Sequence, residues 1–100
     1  MKKMENKNKK NSNKVVYIIT THGCFACKCI EYILREIQKD NPTFTIITID
    51  FHDVQEWIKN NITLKDFPTV IFIDNNVIKY HFIGTLARRK VIKIINDINF

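Results

Sequence analysis

The first long apolar run, residues 15–20, is continuous and mostly β-branched: Val15, Val16, Tyr17, Ile18, Ile19 and Thr20. A run of this length without polar alternation predicts a strand buried on both faces, as at the centre of an α/β sheet. Thr21, His22 and Gly23 end it, and from about residue 25 to residue 39 the hydrophobic period lengthens. Ala26, Ile30, Ile33, Leu34 and Ile37 then share one helical face, while Lys28, Tyr32, Arg35 and Lys39 point the other way. Asn41-Pro42 stops this helix. Strand character returns over residues 44–49, and Asp53 with Glu56 three positions later predicts a capping box opening a short helix through Val54, Trp57 and Ile58. Residues 69–73 and 77–83 predict two strands around the polar turn Asp74-Asn75-Asn76, close enough to pair as an antiparallel hairpin. Asparagine tolerates the left-handed backbone such a turn needs. Residues 86–98 carry Val91, Ile94, Ile95 and Ile98 at i, i+3, i+4 and i+7, an amphipathic helix that must cover the sheet.

The predicted order is β-α-β-α-β-β-α. It implies an α/β fold with helices on both faces of a four-stranded mixed sheet. A chain of 100 residues has room for one core, and its 45% of hydrophobic residues supply that core without structural disulfides. Charge divides the chain into two parts. Lys2, Lys3, Lys7, Lys9, Lys10 and Lys14 against Glu5 place most of the net charge of +6 in the first fourteen residues. Residues 1–13 are therefore expected to be a disordered basic tail, and residues 14–100 the folded domain. The tail holds no apolar signal segment, and no later stretch approaches the ~20 apolar residues of a membrane span. A dedicated nucleic-acid reader would show stacking aromatics on a basic sheet face, which this pattern does not suggest. The expectation is a monomeric, cytoplasmic protein with neither membrane nor nucleic acid among its partners.

Three cysteines, two of them three residues apart, are the wrong number and spacing for a secreted disulfide framework. In a reducing compartment such a close pair is catalytic or metal-binding. Cys24 and Cys27 stand at the start of the first helix, one turn apart, where they are near enough to form a reversible disulfide. The unpaired N–H groups and positive dipole end of that helix favour a thiolate at Cys24, the attacking species in thiol-disulfide exchange. Phe25 and Ala26 carry no charge, so His22 and Lys28 are the candidate modulators; each would otherwise be a solvated bystander. Cys29 is rotated about 200° around the helix from Cys27 and reads as a small hydrophobe at the core edge rather than a third member of the pair. The competing reading is a zinc or iron-sulfur protein using the cysteines of the CxxCxC cluster. It would need four converging ligands, and no second CxxC or His pair supplies them.

The segment Thr20-Thr21-His22-Gly23-Cys24-Phe25-Ala26-Cys27-Lys28 resembles the strand, loop and CxxC-Lys segment of thioredoxins and glutaredoxins. Phe67-Pro68-Thr69-Val70 resembles their second signature, and Gly84 stands where a glycine precedes their final helix. The resemblance covers residues 15–100 and implies the thioredoxin fold, with Pro68 cis and lying against the cysteine pair. It implies thiol-disulfide oxidoreductase activity on disulfide-containing proteins or glutathione mixed disulfides, with Cys24 as nucleophile and Cys27 as resolving thiol. Phe67, Pro68 and Thr69 would bind substrate, the backbone of Phe67 pairing with an extended segment. No cofactor or metal is implied. The motif has neither a Gly-Pro nor a Pro-Tyr centre, no tryptophan before Cys24 and no acidic residue in the preceding strand. The electron donor therefore stays open between a reductase and glutathione.

Overall fold

The computed structural model describes residues 13–100; of the expected tail only Asn13 falls within that range. Strand β1 (Lys14–Thr20) leads into helix α1 (Phe25–Asp40), strand β2 (Thr45–Asp50) and a single 3₁₀ turn (Phe51–Asp53). Helix α2 (Glu56–Asn61), strands β3 (Thr69–Asp74) and β4 (Val77–Ile83), and helix α3 (Arg88–Asp97) complete the chain. The sheet order is β2-β1-β3-β4. β1 pairs parallel with β2 and antiparallel with β3, and β3 pairs antiparallel with β4. This is the four-stranded mixed sheet predicted from the pattern.

Alternation along the central strands divides the core between the two faces of the sheet. Val16, Ile18, Val70 and Phe72 pack with Ile30, Leu34 and Ile37 of α1 and Val91 and Ile95 of α3. Ile19, Ile71 and Ile73 face the other way, onto Val54, Ile58 and Ile62 of the α2 segment. The long apolar runs of β1 and β3 are thus explained by burial on two sides. Among the described residues no helix is long and apolar enough to cross a membrane.

Three local expectations are corrected by the structure. Asp53 does not cap α2: it lies in the 3₁₀ turn, and the N-cap is Gln55, without a side-chain cap. Asp50 caps instead, accepting from the His52 N–H at the start of that turn. Ala26 is only half-buried, and Cys27 takes its place on the core face of α1. The hairpin turn is Asn75-Asn76 alone, both at positive φ (54° and 65°), the geometry of a two-residue type I′ turn, and Asp74 belongs to β3. A bulge between Phe72 and Ile73 shifts the β4 register, pairing Phe72 with Tyr80 but Ile73 with Ile78. Phe82 accordingly packs on the α1–α3 face and Ile78 on the α2 face, although both have the same parity in sequence.

The C-terminal end closes through a Schellman motif. Asn99 adopts φ 60°, its N–H donates to Asn96 O, and the Phe100 N–H donates to Ile95 O at 2.8 Å. This turns the Phe100 side chain into the core, against Phe72 and Phe44. Lys14 Nζ and Thr43 Oγ1 both donate to the Phe100 carbonyl oxygen.

Candidate active site

The site is built where β1 ends and α1 begins. Gly23 makes the turn between them at φ +74°, a backbone region that costs a side-chain-bearing residue free energy. A Cβ added there meets nothing within 4 Å, so the cost is conformational alone. Gly23→Ala is expected to destabilise the protein by about 1–2 kcal/mol in chemical denaturation. A neutral result would show that the loop relaxes out of this geometry.

Cys24 follows as the N-cap of α1, with an extended backbone. Its Sγ accepts a hydrogen bond from the Cys27 N–H at 3.1 Å, so sulfur occupies the place usually taken by a serine or aspartate oxygen. The first turn of α1 contains no acidic residue, which leaves the positive end of the dipole to the cysteine. Cys24 and Cys27 are joined in a disulfide with their Cα atoms 5.3 Å apart. Cys24 is half-buried, whereas Cys27 is only 4% exposed. Phe25 between them is 80% exposed. Cys29 is a free, half-buried thiol.

The register brings Pro68 to the same end of the sheet. Ile19 pairs with Thr69, which sets Pro68 opposite Thr20 and four residues short of Cys24. The Phe67–Pro68 bond is cis, and Pro68 O accepts from the Gly84 N–H at 2.8 Å. Thr69 is fully buried and its Oγ1 donates to Asp66 O, so only its backbone is available to a ligand. The Phe67 ring packs against Phe51, 5.2 Å between centroids.

His22 and Lys28 are both exposed. Lys28 lines a cleft of ≈ 410 Å³ that opens onto the cysteine pair, together with Glu31, Thr20, Thr21 and Thr48. His22, Phe67, Pro68 and Thr69 do not line this cleft. Glu31 and the threonines were not singled out from the sequence. Glu31 carried a signal, standing one helical turn after Cys27. Thr48 carried none, because its place depends on pairing with Ile18 across the sheet.

A polar pair missed by the sequence reading stands at the end of β2. Asp50, paired with Thr20, accepts from the His52 backbone N–H at 3.0 Å and lies 2.7 Å from His52 Nδ1. The hydrogen bond from the His52 N–H first, and that from the His52 ring second, hold the Asp50 carboxyl below its ordinary value; desolvation opposes them, and the charges of His52 and His22 add a lesser lowering. A carboxyl lowered by folding stabilises the protein above its unfolded pKa, and that contribution is lost as pH falls through the folded value. An NMR titration should find Asp50 ionising below the usual aspartate range, and Asp50→Asn should flatten the acid limb of stability against pH. Titration of Asp50 at or above the usual range would contradict the geometry.

Two of the three cysteines are bonded to each other, and among the described residues no three His, Cys, Asp or Glu side chains are placed to share an ion.

Comparison with known proteins matches residues 2–97 to the family model "Thioredoxin". No curated protein sequence matches the chain. Three solved structures illustrate the likeness in fold. Thioredoxin f2 of Chlamydomonas reinhardtii is 20% identical at TM-score 0.68, with 86% of this chain and 79% of that one covered. Thioredoxin-2 of the malaria parasite, described as a component of its protein secretion machinery, is 16% identical at TM-score 0.70, with 85% and 82% covered. Thioredoxin O2 of Arabidopsis thaliana in the oxidized state is 18% identical at TM-score 0.67, with 86% and 75% covered. At these identities the structures speak for the fold alone; the family match, spanning nearly the whole chain, carries the assignment. Family members do their chemistry on the cysteines themselves and need no cofactor, and a CxxC disulfide at the head of α1 is the feature of a thiol-disulfide oxidoreductase. This chain belongs to the thioredoxin family.

Proposed function

We propose that the protein reduces or exchanges disulfides of other proteins, with Cys24 as nucleophile and Cys27 as resolving thiol. The observation that carries this reading is the asymmetry of the pair, Cys24 half-buried at the helix terminus and Cys27 buried one turn inside. In the reduced protein, the helix N–H groups and dipole favour a Cys24 thiolate. That thiolate attacks a substrate disulfide and forms a mixed disulfide, releasing one substrate thiol. Cys27, as its thiolate, then attacks Cys24 Sγ, releases the second substrate thiol and leaves the protein oxidised. The extended segment of substrate would run alongside Phe67 and Pro68, at the sheet end they share with Cys24. His22 and Lys28, both exposed and flanking the motif in sequence, would adjust the Cys24 thiolate through their charge.

This activity suits a reducing compartment such as the cytoplasm, with a reductase or glutathione restoring the dithiol. The test is insulin reduction by the purified protein, driven in parallel by a thioredoxin reductase with NADPH and by glutathione. Turnover with one donor identifies it. No turnover with either, and none by stoichiometric pre-reduced protein, would sink the reading.

A further inference from the structure

The ≈ 410 Å³ cleft beside the disulfide has no part in the substrate path just described. Thr48 of β2 lines it, whereas Pro68 lies on the β3 side, and β1 runs between those two strands. The disulfide can thus be approached from two sides. Both cysteines line the cleft, Cys27 only 4% exposed, together with Thr20, Thr21 and Thr48; the Thr20 hydroxyl already donates to Ile49 O and is left as an acceptor.

Its remaining wall carries one charge of each sign. Lys28 and Glu31 are three residues apart on α1 and so are neighbours on the helix surface. They are not paired with each other. Among the described residues, Lys28 has no carboxylate within salt-bridge distance. Glu31 is held by Arg35, whose Nε and Nη2 both donate to Oε2, at 3.0 and 2.9 Å. Oε1 is left without a hydrogen-bond partner among the described residues. A cation, a carboxylate oxygen and a disulfide therefore face one small space.

We infer that this cleft binds a low-molecular-weight thiol of the amino-acid type, its α-carboxylate on Lys28, its α-ammonium on Glu31 Oε1 and its sulfur directed at the disulfide. The inference rests on the oxidoreductase reading and supplies its electron donor. The ligand thiolate attacks Cys24 Sγ, forming a mixed disulfide while the Cys24–Cys27 bond breaks and Cys27 leaves as a thiolate that takes up a proton. A second ligand thiolate attacks the ligand sulfur of that mixed disulfide, forming the ligand disulfide and releasing Cys24. Two thiols are oxidised by two electrons, one protein disulfide is reduced to a dithiol, and the two thiol protons end on the protein sulfurs or in solvent.

The test is the rate of re-reduction of the oxidised protein by L-cysteine relative to uncharged 2-mercaptoethanol, each corrected to thiolate concentration and followed by thiol alkylation. Taking this ratio removes any change in the disulfide itself, which affects both reductants alike. Lys28→Gln and Glu31→Gln should each lower the ratio by about three- to tenfold, the range expected for losing a charge-assisted contact at a part-exposed site. Thr48→Phe fills the cleft from an exposed edge-strand position that accepts aromatic side chains. It should lower cysteine-driven re-reduction at least as much. A ratio unchanged in all three variants overturns the inference. Insulin reduction by pre-reduced wild-type protein, measured alongside, reports separately on the oxidoreductase reading because it does not depend on which thiol does the re-reduction.

Discussion

Cys24→Ser is expected to bring disulfide reduction down to background, a loss of about a thousandfold or more, the scale seen when a covalent nucleophile is removed. No other side chain in the site can replace it. Cys27 is 4% exposed, and Cys29 stands outside the pair as a free thiol. Cys27→Ser should behave differently. Attack still occurs at Cys24, but the mixed disulfide has no internal resolving thiol, so substrate accumulates as a covalent adduct visible by mass spectrometry and lost on adding a reductant. Cys29→Ser should leave turnover within about twofold, as for a free cysteine that acts only in packing. The roles assigned to the three cysteines would be wrong if Cys24→Ser retained turnover, or if the adduct accumulated on Cys24→Ser rather than on Cys27→Ser.

The second large effect is expected in the core. Phe72 is fully buried on the α1–α3 face of β3, with the ring of Phe100 edge-on at 5.2 Å and those of Phe82 and Tyr80 at 6.2 and 6.4 Å. Phe72→Ala leaves a cavity bounded by side chains from several elements that cannot collapse together, and should cost about 3–5 kcal/mol. Against a typical total of about 5–15 kcal/mol for a domain, that is a large share of the stability. It should appear as a lower urea midpoint at unchanged slope. A loss below about 1 kcal/mol would mean that the surrounding rings close over the gap, contrary to the fixed packing described.

The family and its chemistry were legible early because they are written locally. The continuous run from Val15 to Thr20, the three-and-four spacing of Ile30, Leu34 and Ile37, and the Asn-Asn turn each follow from a few neighbouring residues. Pro68 was found through the resemblance of its surrounding residues to a known signature. The errors fell where local rules compete. Asp53 and Glu56 have the spacing of a capping box, but Asp50 closes a 3₁₀ turn first, and the chain reaches Gln55 before the helix starts. The bulge in β4 places Ile78 and Phe82 on opposite faces because the strand must match β3, a constraint absent from its own pattern. Ala26 and Cys27 stand four and three residues before Ile30, so both border the core face by spacing alone, and only the docking of the helix decided that Cys27 is the one buried.

By itself, then, the sequence determined the order of elements, the burial of β1 on both faces, and the placing of a reversible thiol pair at a helix terminus. Each depends on periodicity or on contacts within about one helical turn. Only the tertiary structure decided that Pro68 meets the level of Thr20, that Asp50 pairs with His52 beside β1, and that Phe100 is folded back into the core. It also decided that Thr48 joins Cys27 and Glu31 around one cleft. These juxtapositions come from strand register and helix docking, which are set by the packing of the whole core and have no signature within a single segment.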